Sequence, residues 1–227
     1  MRKKLGVITV GQSPRDDVIS EITEFLGEGV EVIQLGALDG MTYEEILNLD
    51  TKEDDYILVS RMKDGTEVKF AERHVLPKIQ KCIEFLEAQG ADVILLICTG
   101  VFPDVFKSVK PLLYPQQIIH SVVPKLLKNK ELDLIIPKSD QVNQCIKKWS
   151  ESSSAKLNVA VASPYSQQDQ LQEAIEQLKD TSAEIIVMDC IGYTRKMKKK
   201  VAESTGKSVV LARTLIARIL GEIFNSW

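Results

Sequence analysis

The chain has 227 residues, enough to bury a sizeable core as one or two compact domains. Apolar residues make up 44% and charged residues 27%, ordinary globular proportions. The formal net charge of −3 argues mildly against nucleic acid as the main partner, since phosphate binding wants a basic face. The single basic run, Arg195, Lys196, Lys198, Lys199 and Lys200, reads as a solvated helix face. No apolar run approaches the length of a membrane span, and Met1-Arg2-Lys3-Lys4-Leu5 does not continue into a secretory leader. Four cysteines without metal-like or disulfide-like spacing fit a reducing compartment. A cytoplasmic protein without a membrane partner is expected.

Apolar runs alternate with helical patterns along the chain. Leu5–Val10 predicts a strand, and Asp16–Leu26 a helix with Val18, Ile19, Ile22, Phe25 and Leu26 on one face. Ser13 reads as its N-cap and Pro14 as its first residue. Val30–Leu35 is the next strand, and Thr42 caps a short helix with Glu44 and Glu45 in its first turn. Tyr56–Met62 and Thr66–Ala71 flank Asp64-Gly65, a hairpin signal. A helix over Val75–Gln89 stops at Gly90, and the strand Ala91–Ile97 leads to Cys98. Residues 101–115 read as loop and Gln116–Lys128 as a helix that Pro124 kinks or ends early.

The second half predicts strands at Leu132–Ile136, Leu157–Ala162, Glu184–Met188 and Ser208–Leu211. Helices alternate with them at Asp140–Trp149, Gln167–Leu178, Arg195–Glu203 and Thr214–Phe224. Such alternation implies an α/β fold with mainly parallel sheets and helices on both faces. The halves can be superposed once the stretch from Ala37 to Arg73 is treated as an insertion, and Ser13 then falls opposite Ser139. Two pseudo-symmetric α/β/α lobes are expected. The first is 1–114, with 207–227 returning to it, and the second is 115–206.

Two cysteines occupy matching places. Ile94-Leu95-Leu96-Ile97-Cys98-Thr99-Gly100 and Ile185-Ile186-Val187-Met188-Asp189-Cys190-Ile191-Gly192 each end a buried strand and open a loop with a glycine. Ligands of open α/β sheets bind outside the carboxyl ends of the strands. Inverting a carbon α to a carboxylate needs a base on one face and an acid on the other. A thiol suits both roles, because a helix N-terminus or a cation can lower its pKa. The plainer alternative is a strand-end cysteine packing as a small hydrophobe. Cys82 and Cys145, at helical spacing among apolar residues, read as that kind of core packing.

Gly11-Gln12-Ser13-Pro14-Arg15-Asp16 joins a strand to a helix and offers Ser13 and Arg15 to an anion, with Arg15 able to fork onto a carboxylate. Thr99, Tyr193 and Thr194 add hydroxyls that can donate to a substrate or cap a helix. Arg61 and Arg73 flank the hairpin, as lid residues or as exposed ion pairs. Only His74 and His120 are present, without zinc-ligand spacing, and neither a Walker motif, a dinucleotide fingerprint nor a nucleophile elbow occurs.

The segments Gly6-Val7-Ile8-Thr9-Val10-Gly11-Gln12-Ser13-Pro14-Arg15 and Val187-Met188-Asp189-Cys190-Ile191-Gly192-Tyr193 resemble the AroM family, within the aspartate/glutamate/hydantoin racemase superfamily. That resemblance implies paired α/β lobes with the active site between them. Its cofactor-independent members use two cysteines as opposed bases, which maps to Cys98 and Cys190. Carboxylate-binding groups map to Thr99, Gly100, Ile191 and Gly192 beside the thiols, and to Ser13 and Arg15 after the first strand. Here that loop is Gly-Gln-Ser-Pro-Arg, not the acidic-serine-glycine pattern of the amino-acid racemases, which argues against an amino-acid substrate. The expected partner is a small carboxylate, with no cofactor, no metal and no nucleic acid, in a homodimer as is usual for such enzymes.

Overall fold

The computed structural model describes residues 2–128, 130–166 and 169–225. The chain forms two compact units, Met1–Pro115 with Ala217–Trp227, and Gln116–Ile216.

In the first unit the chain runs through β1 (Lys4–Thr9), α1 (Asp16–Thr23), β2 (Glu31–Gly36), α2 (Tyr43–Leu47), β3 (Ile57–Arg61) and β4 (Glu67–Ala71). It continues through α3 (Leu76–Ala88), β5 (Val93–Leu96) and the two-residue β6 (Leu112–Leu113). The main sheet has the order β2-β1-β5-β6, with every pair parallel. Apolar runs became strands here because helices cover both faces of such a sheet, leaving β5 wholly buried. β3 and β4 form a separate antiparallel ribbon, closed by Gly65 at φ +97°, a left-handed backbone that glycine adopts without strain. Thr42 and Glu45 make the reciprocal capping box at the start of α2.

The second unit holds α4 (Pro115–Val122), which begins at its boundary, then β7 (Glu131–Ile136), α5 (Val142–Ser152), β8 (Lys156–Val161), α6 (Gln170–Leu178) and β9 (Ile185–Met188). α7 (Arg195–Thr205), β10 (Ser208–Leu211) and the start of α8 (Ala212–Phe224) complete it, the rest of α8 belonging to the first unit. Its sheet order is β8-β7-β9-β10, again all parallel. Both sheets therefore share one plan, with β1 equivalent to β7, β2 to β8, β5 to β9 and β6 to β10. The duplication inferred from the sequence is a duplication of topology.

Four details differ from the sequence reading. Ser13 does not cap α1 and Pro14 lies outside it; the helix begins at Asp16, with Arg15 at the cap position and no side-chain cap. The reason is competition, because Asp39 takes both the Ser13 amide and hydroxyl. The two-residue β6 lies within residues 101–115, expected to be loop, whereas α4 stops before Pro124, one of the two outcomes expected there, and passes into a 3-10 turn over Val123–Leu126. The equivalent bonds Ile97 N–H to Ile8 O and Asp189 N–H to Ile135 O align Ile8 with Ile135, so Ser13 corresponds to Asp140, one residue beyond Ser139. Finally, the return to the first unit starts at Ala217, inside α8, because β10 pairs with β9 and stays in the second unit. Gln167, the expected start of α6, lies outside the described residues.

Candidate functional site

Cys98 and Cys190 sit two residues past the ends of the equivalent strands β5 and β9. In each loop the glycine two residues on turns its amide back onto the sulfur. Gly100 N–H donates to Cys98 Sγ at 3.3 Å, and Gly192 N–H donates to Cys190 Sγ at 3.4 Å. A hydrogen bond donated to sulfur favours the thiolate over the thiol. Cys98 is half-buried and Cys190 is 7% exposed.

A tyrosine closes over each glycine. A Cβ on Gly100 would stand 3.4 Å from the Tyr56 ring and 2.8 Å from Leu58, both brought by the start of the hairpin. Tyr56 also accepts the Val101 amide through its hydroxyl at 3.3 Å. In the second unit, a Cβ on Gly192 would meet the Tyr165 hydroxyl at 2.3 Å and Pro164 at 2.9 Å. A side chain at position 192 would have to push Tyr165 aside. Tyr56 and Tyr165 carried no signal in the sequence, since each comes from a segment remote from its cysteine.

The other expected site residues divide by what their polar ends touch. Thr99 is buried beside Cys98. Thr194 caps α7, its hydroxyl oxygen accepting the Met197 amide at 3.2 Å. Tyr193 is buried and donates its hydroxyl to Ala162 O at 2.7 Å; burial raises its phenol well above the usual range, so it props the loop as a neutral group. Ile191 and Gly192 are buried, and their carbonyls receive the guanidinium of Arg213, Nε at 3.1 Å and Nη2 at 3.0 Å. Arg213 escaped the sequence reading, because it lies more than twenty residues from the loop it holds.

In the first unit, Ser13 follows β1 and so leaves the same carboxyl edge of the sheet as Cys98. Asp39 binds Ser13 N and Oγ and the Gly36 amide, all at 2.7 Å. Arg15, expected to fork onto a ligand carboxylate, forks onto Asp17 of its own helix at 2.8 and 2.9 Å and is 2% exposed. Gln12 ties the loop to the hairpin, donating to Leu38 O and Met41 O and accepting from the Lys63 amide. Gly11 is pressed so close to β3 that a Cβ would stand 2.5 Å from Arg61 O. Arg61 and Arg73 are in ion pairs, with Asp17 and with Asp50 and Asp55.

Cys82 packs against the first core and Cys145 is buried in α5; burial pushes their thiols up to about 11 and about 12. Neither is an acid at neutral pH. Among the described residues no cluster of His, Cys, Asp and Glu could hold a metal, and no helix is long and apolar enough to cross a membrane.

Behind Cys190 lies a buried polar group that the sequence did not reveal. Asp189 Oδ2 accepts from Lys148 Nζ at 2.6 Å and from Trp149 Nε1 at 2.8 Å. His120 stacks on Trp149 at 3.9 Å, with Nδ1 2.8 Å from Ser152 Oγ. Burial, reinforced by the Lys148 charge, drops His120 to about 4. Folded His120 thus binds a proton more weakly than the unfolded chain does. Its contribution to stability is complete above about pH 6.5 and is lost as pH falls toward 4. With allowance for partial solvent screening, about 2 kcal/mol is at stake. A His120→Gln variant should show a correspondingly shallower loss of melting temperature between pH 7 and pH 4.5; parallel curves would contradict this assignment.

The family model described as AroM protein matches residues 5–224. The chain belongs to the AroM family. No curated protein matches the sequence. Among solved structures, an allantoin racemase from Klebsiella pneumoniae is 10% identical, with TM-score 0.62 over 97% of this chain and 87% of its own. A glutamate racemase from Bacillus anthracis is 14% identical, with TM-score 0.63 over 97% and 81%. An unliganded arylmalonate decarboxylase is 16% identical, with TM-score 0.57 over 96% and 92%. At such identities the likeness establishes the fold, and this AroM protein has the fold of those racemases.

Proposed function

We propose that this AroM protein is a cofactor-independent racemase or isomerase of a small carboxylate, using Cys98 and Cys190 as the two proton-transfer groups. The observation that carries this reading is the repeated cysteine–x–glycine loop, with the same amide-to-sulfur bond at the equivalent strand end of both units. One thiolate removes the proton α to the carboxylate, and the other thiol returns a proton to the opposite face of that carbon. The stereocentre inverts, and the next turnover starts with the roles exchanged. Thr99, Ile191 and Thr194 supply hydroxyls and amides for the substrate carboxylate, and Gly100 and Gly192 turn their amides onto the two sulfurs. Ser13, its amide and hydroxyl both engaged by Asp39, joins Arg15 and Tyr193 in holding the loops. The reaction needs no cofactor, and the protein acts in the cytoplasm, as a homodimer.

The decarboxylase among the structural relatives motivates a second reading on the same residues. There one thiol does the chemistry, protonating or attacking, and the other is a spectator.

Exchange of α-protons in D₂O, followed by NMR over a panel of small chiral carboxylates, tests both. Two-base chemistry predicts that Cys98→Ala and Cys190→Ala each lose at least tenfold in racemisation, by similar factors. Loss confined to one variant favours the one-thiol reading. Absence of exchange with every carboxylate, alongside ligand-induced thermal stabilisation, would make the protein a binding protein and overturn both.

A further inference from the structure

The two thiol loops match in backbone but not in what lies behind them. In the first unit the residue before the cysteine is Ile97, 1% exposed in the core. In the second unit it is Asp189, 5% exposed, placed by the equivalent backbone hydrogen bond. An apolar residue therefore satisfies this position of the fold, and the carboxylate needs another reason. Asp189 is matched by Lys148, itself 7% exposed, at 2.6 Å. A buried pair of this kind is weak evidence for stability, because desolvating both charges offsets their attraction.

We propose that the Lys148–Asp189 pair tunes the ionisation of Cys190, making its acidity different from that of Cys98. Lys148 is a positioning residue that acts through Asp189. An unpaired carboxylate one residue from a sulfur opposes formation of the thiolate. Two like charges separated by about 7 Å at an effective dielectric of about 20 shift each other by roughly one to two pH units. Lys148 cancels that repulsion, and Trp149 Nε1 fixes the carboxylate on α5. The other titratable or charged groups around this loop are Tyr193 within it, Tyr165 from the segment after β8, Cys145 on α5, Arg213 at the start of α8 and His120 on α4. Tyr193 and Cys145 are held neutral by burial and Arg213 is permanently charged, so none of these three offsets a change at Lys148. His120, which the Lys148 charge helps to keep neutral, can take up a proton when that charge is removed, and the Lys148 variant is therefore made on a His120→Gln background. In a two-thiol reaction, unequal acidities let one cysteine rest as thiolate and the other as thiol. The inference rests on the proposed use of both cysteines. Its test reads ionisation instead of turnover, so the two can fail separately.

The experiment is the pH dependence of iodoacetamide alkylation, resolved by peptide mass spectrometry into Cys98 and Cys190, on the full-length protein. Lys148→Met should raise the Cys190 midpoint by about one unit, and Asp189→Asn should lower it by a similar amount. The double variant should return near the unsubstituted protein, and Cys98 should not move in any of them. A purely structural role predicts that both single variants shift Cys190 in the same direction, or not at all; either result overturns the proposal. If Lys148→Met does not fold, Asp189→Asn decides alone by the sign of its shift.

Discussion

Arg213→Met is expected to destabilise the second unit by about 3–5 kcal/mol and to change the reactivity of Cys190 while leaving that of Cys98 alone. Arg213 is 0% exposed, and its fork reaches two consecutive carbonyls, Ile191 O and Gly192 O. Methionine fills much of the same volume but leaves those buried acceptors without these donors. Each orphaned acceptor costs about 1–3 kcal/mol, and the cost is larger where the lost donor was charged. The loop then loses the anchor that keeps the Gly192 amide turned onto the Cys190 sulfur. Urea unfolding monitored by a probe in the second unit measures the first effect, and site-resolved alkylation the second. Arg213→Lys should recover less than half the stability, since one ammonium cannot reproduce the planar fork. A loss below about 1 kcal/mol with unchanged Cys190 labelling would contradict this account.

Much of the fold was legible because its central strands are buried on both faces. Val93–Leu96 and Ile185–Met188 can only be continuous apolar runs, and such runs between amphipathic helices leave few architectures open. The hairpin was legible from Asp64-Gly65, because a left-handed turn residue is a local requirement. β6 was not, since two residues carry no periodicity and its strand character comes only from pairing with β5. The cap of α1 was misread for a related reason. Ser13 has the right residue type and spacing, yet Asp39, twenty-six positions away, outcompetes the helix for its side chain.

The site divides along the same line. The placement of Cys98 and Cys190 was legible because strand ends are local features and the thiols repeat with the fold. Their supports were not. Arg213, Tyr56, Tyr165 and Lys148, the partner of Asp189, are all brought in from other elements, and nothing in their own neighbourhoods marks them. Arg15 shows the converse error, a residue of suitable chemistry in a suitable loop whose fork is already engaged by Asp17. Sequence locates the strand-end thiols, and tertiary contacts decide what surrounds them.

Lys207→Met should cost about as much as the loss of Arg213, roughly 3–5 kcal/mol, but without touching the thiol. Lys207 precedes β10 and places its ammonium on Asp133 Oδ2 at 2.8 Å and on Leu178 O and Thr181 O, the carbonyls where α6 ends. Asp133 is 0% exposed, in β7, and also accepts from Asn158 at 2.9 Å and Thr181 at 2.7 Å. The cluster therefore joins β7, β8, β10 and the end of α6 through one buried carboxylate. Removing the lysine leaves that carboxylate charged in the core with only neutral donors. Adding Asp133→Asn should recover part of the loss, because the double variant buries no uncompensated charge. Asp133 pairs in register with Ile186, four residues before Cys190, which at about 3.3 Å per residue places the cluster roughly 13 Å along the sheet from the thiol loop. Calorimetry should thus report a large drop in melting temperature while Cys190 alkylation in the folded protein keeps its pH midpoint. Arg213→Met and Lys148→Met disturb the thiol as well. That contrast separates groups that only hold the second unit together from groups that also act on the thiol at its strand tip. A shifted Cys190 midpoint in Lys207→Met would mean that the sheet transmits charge along its length, and the local account of Lys148 would have to be abandoned.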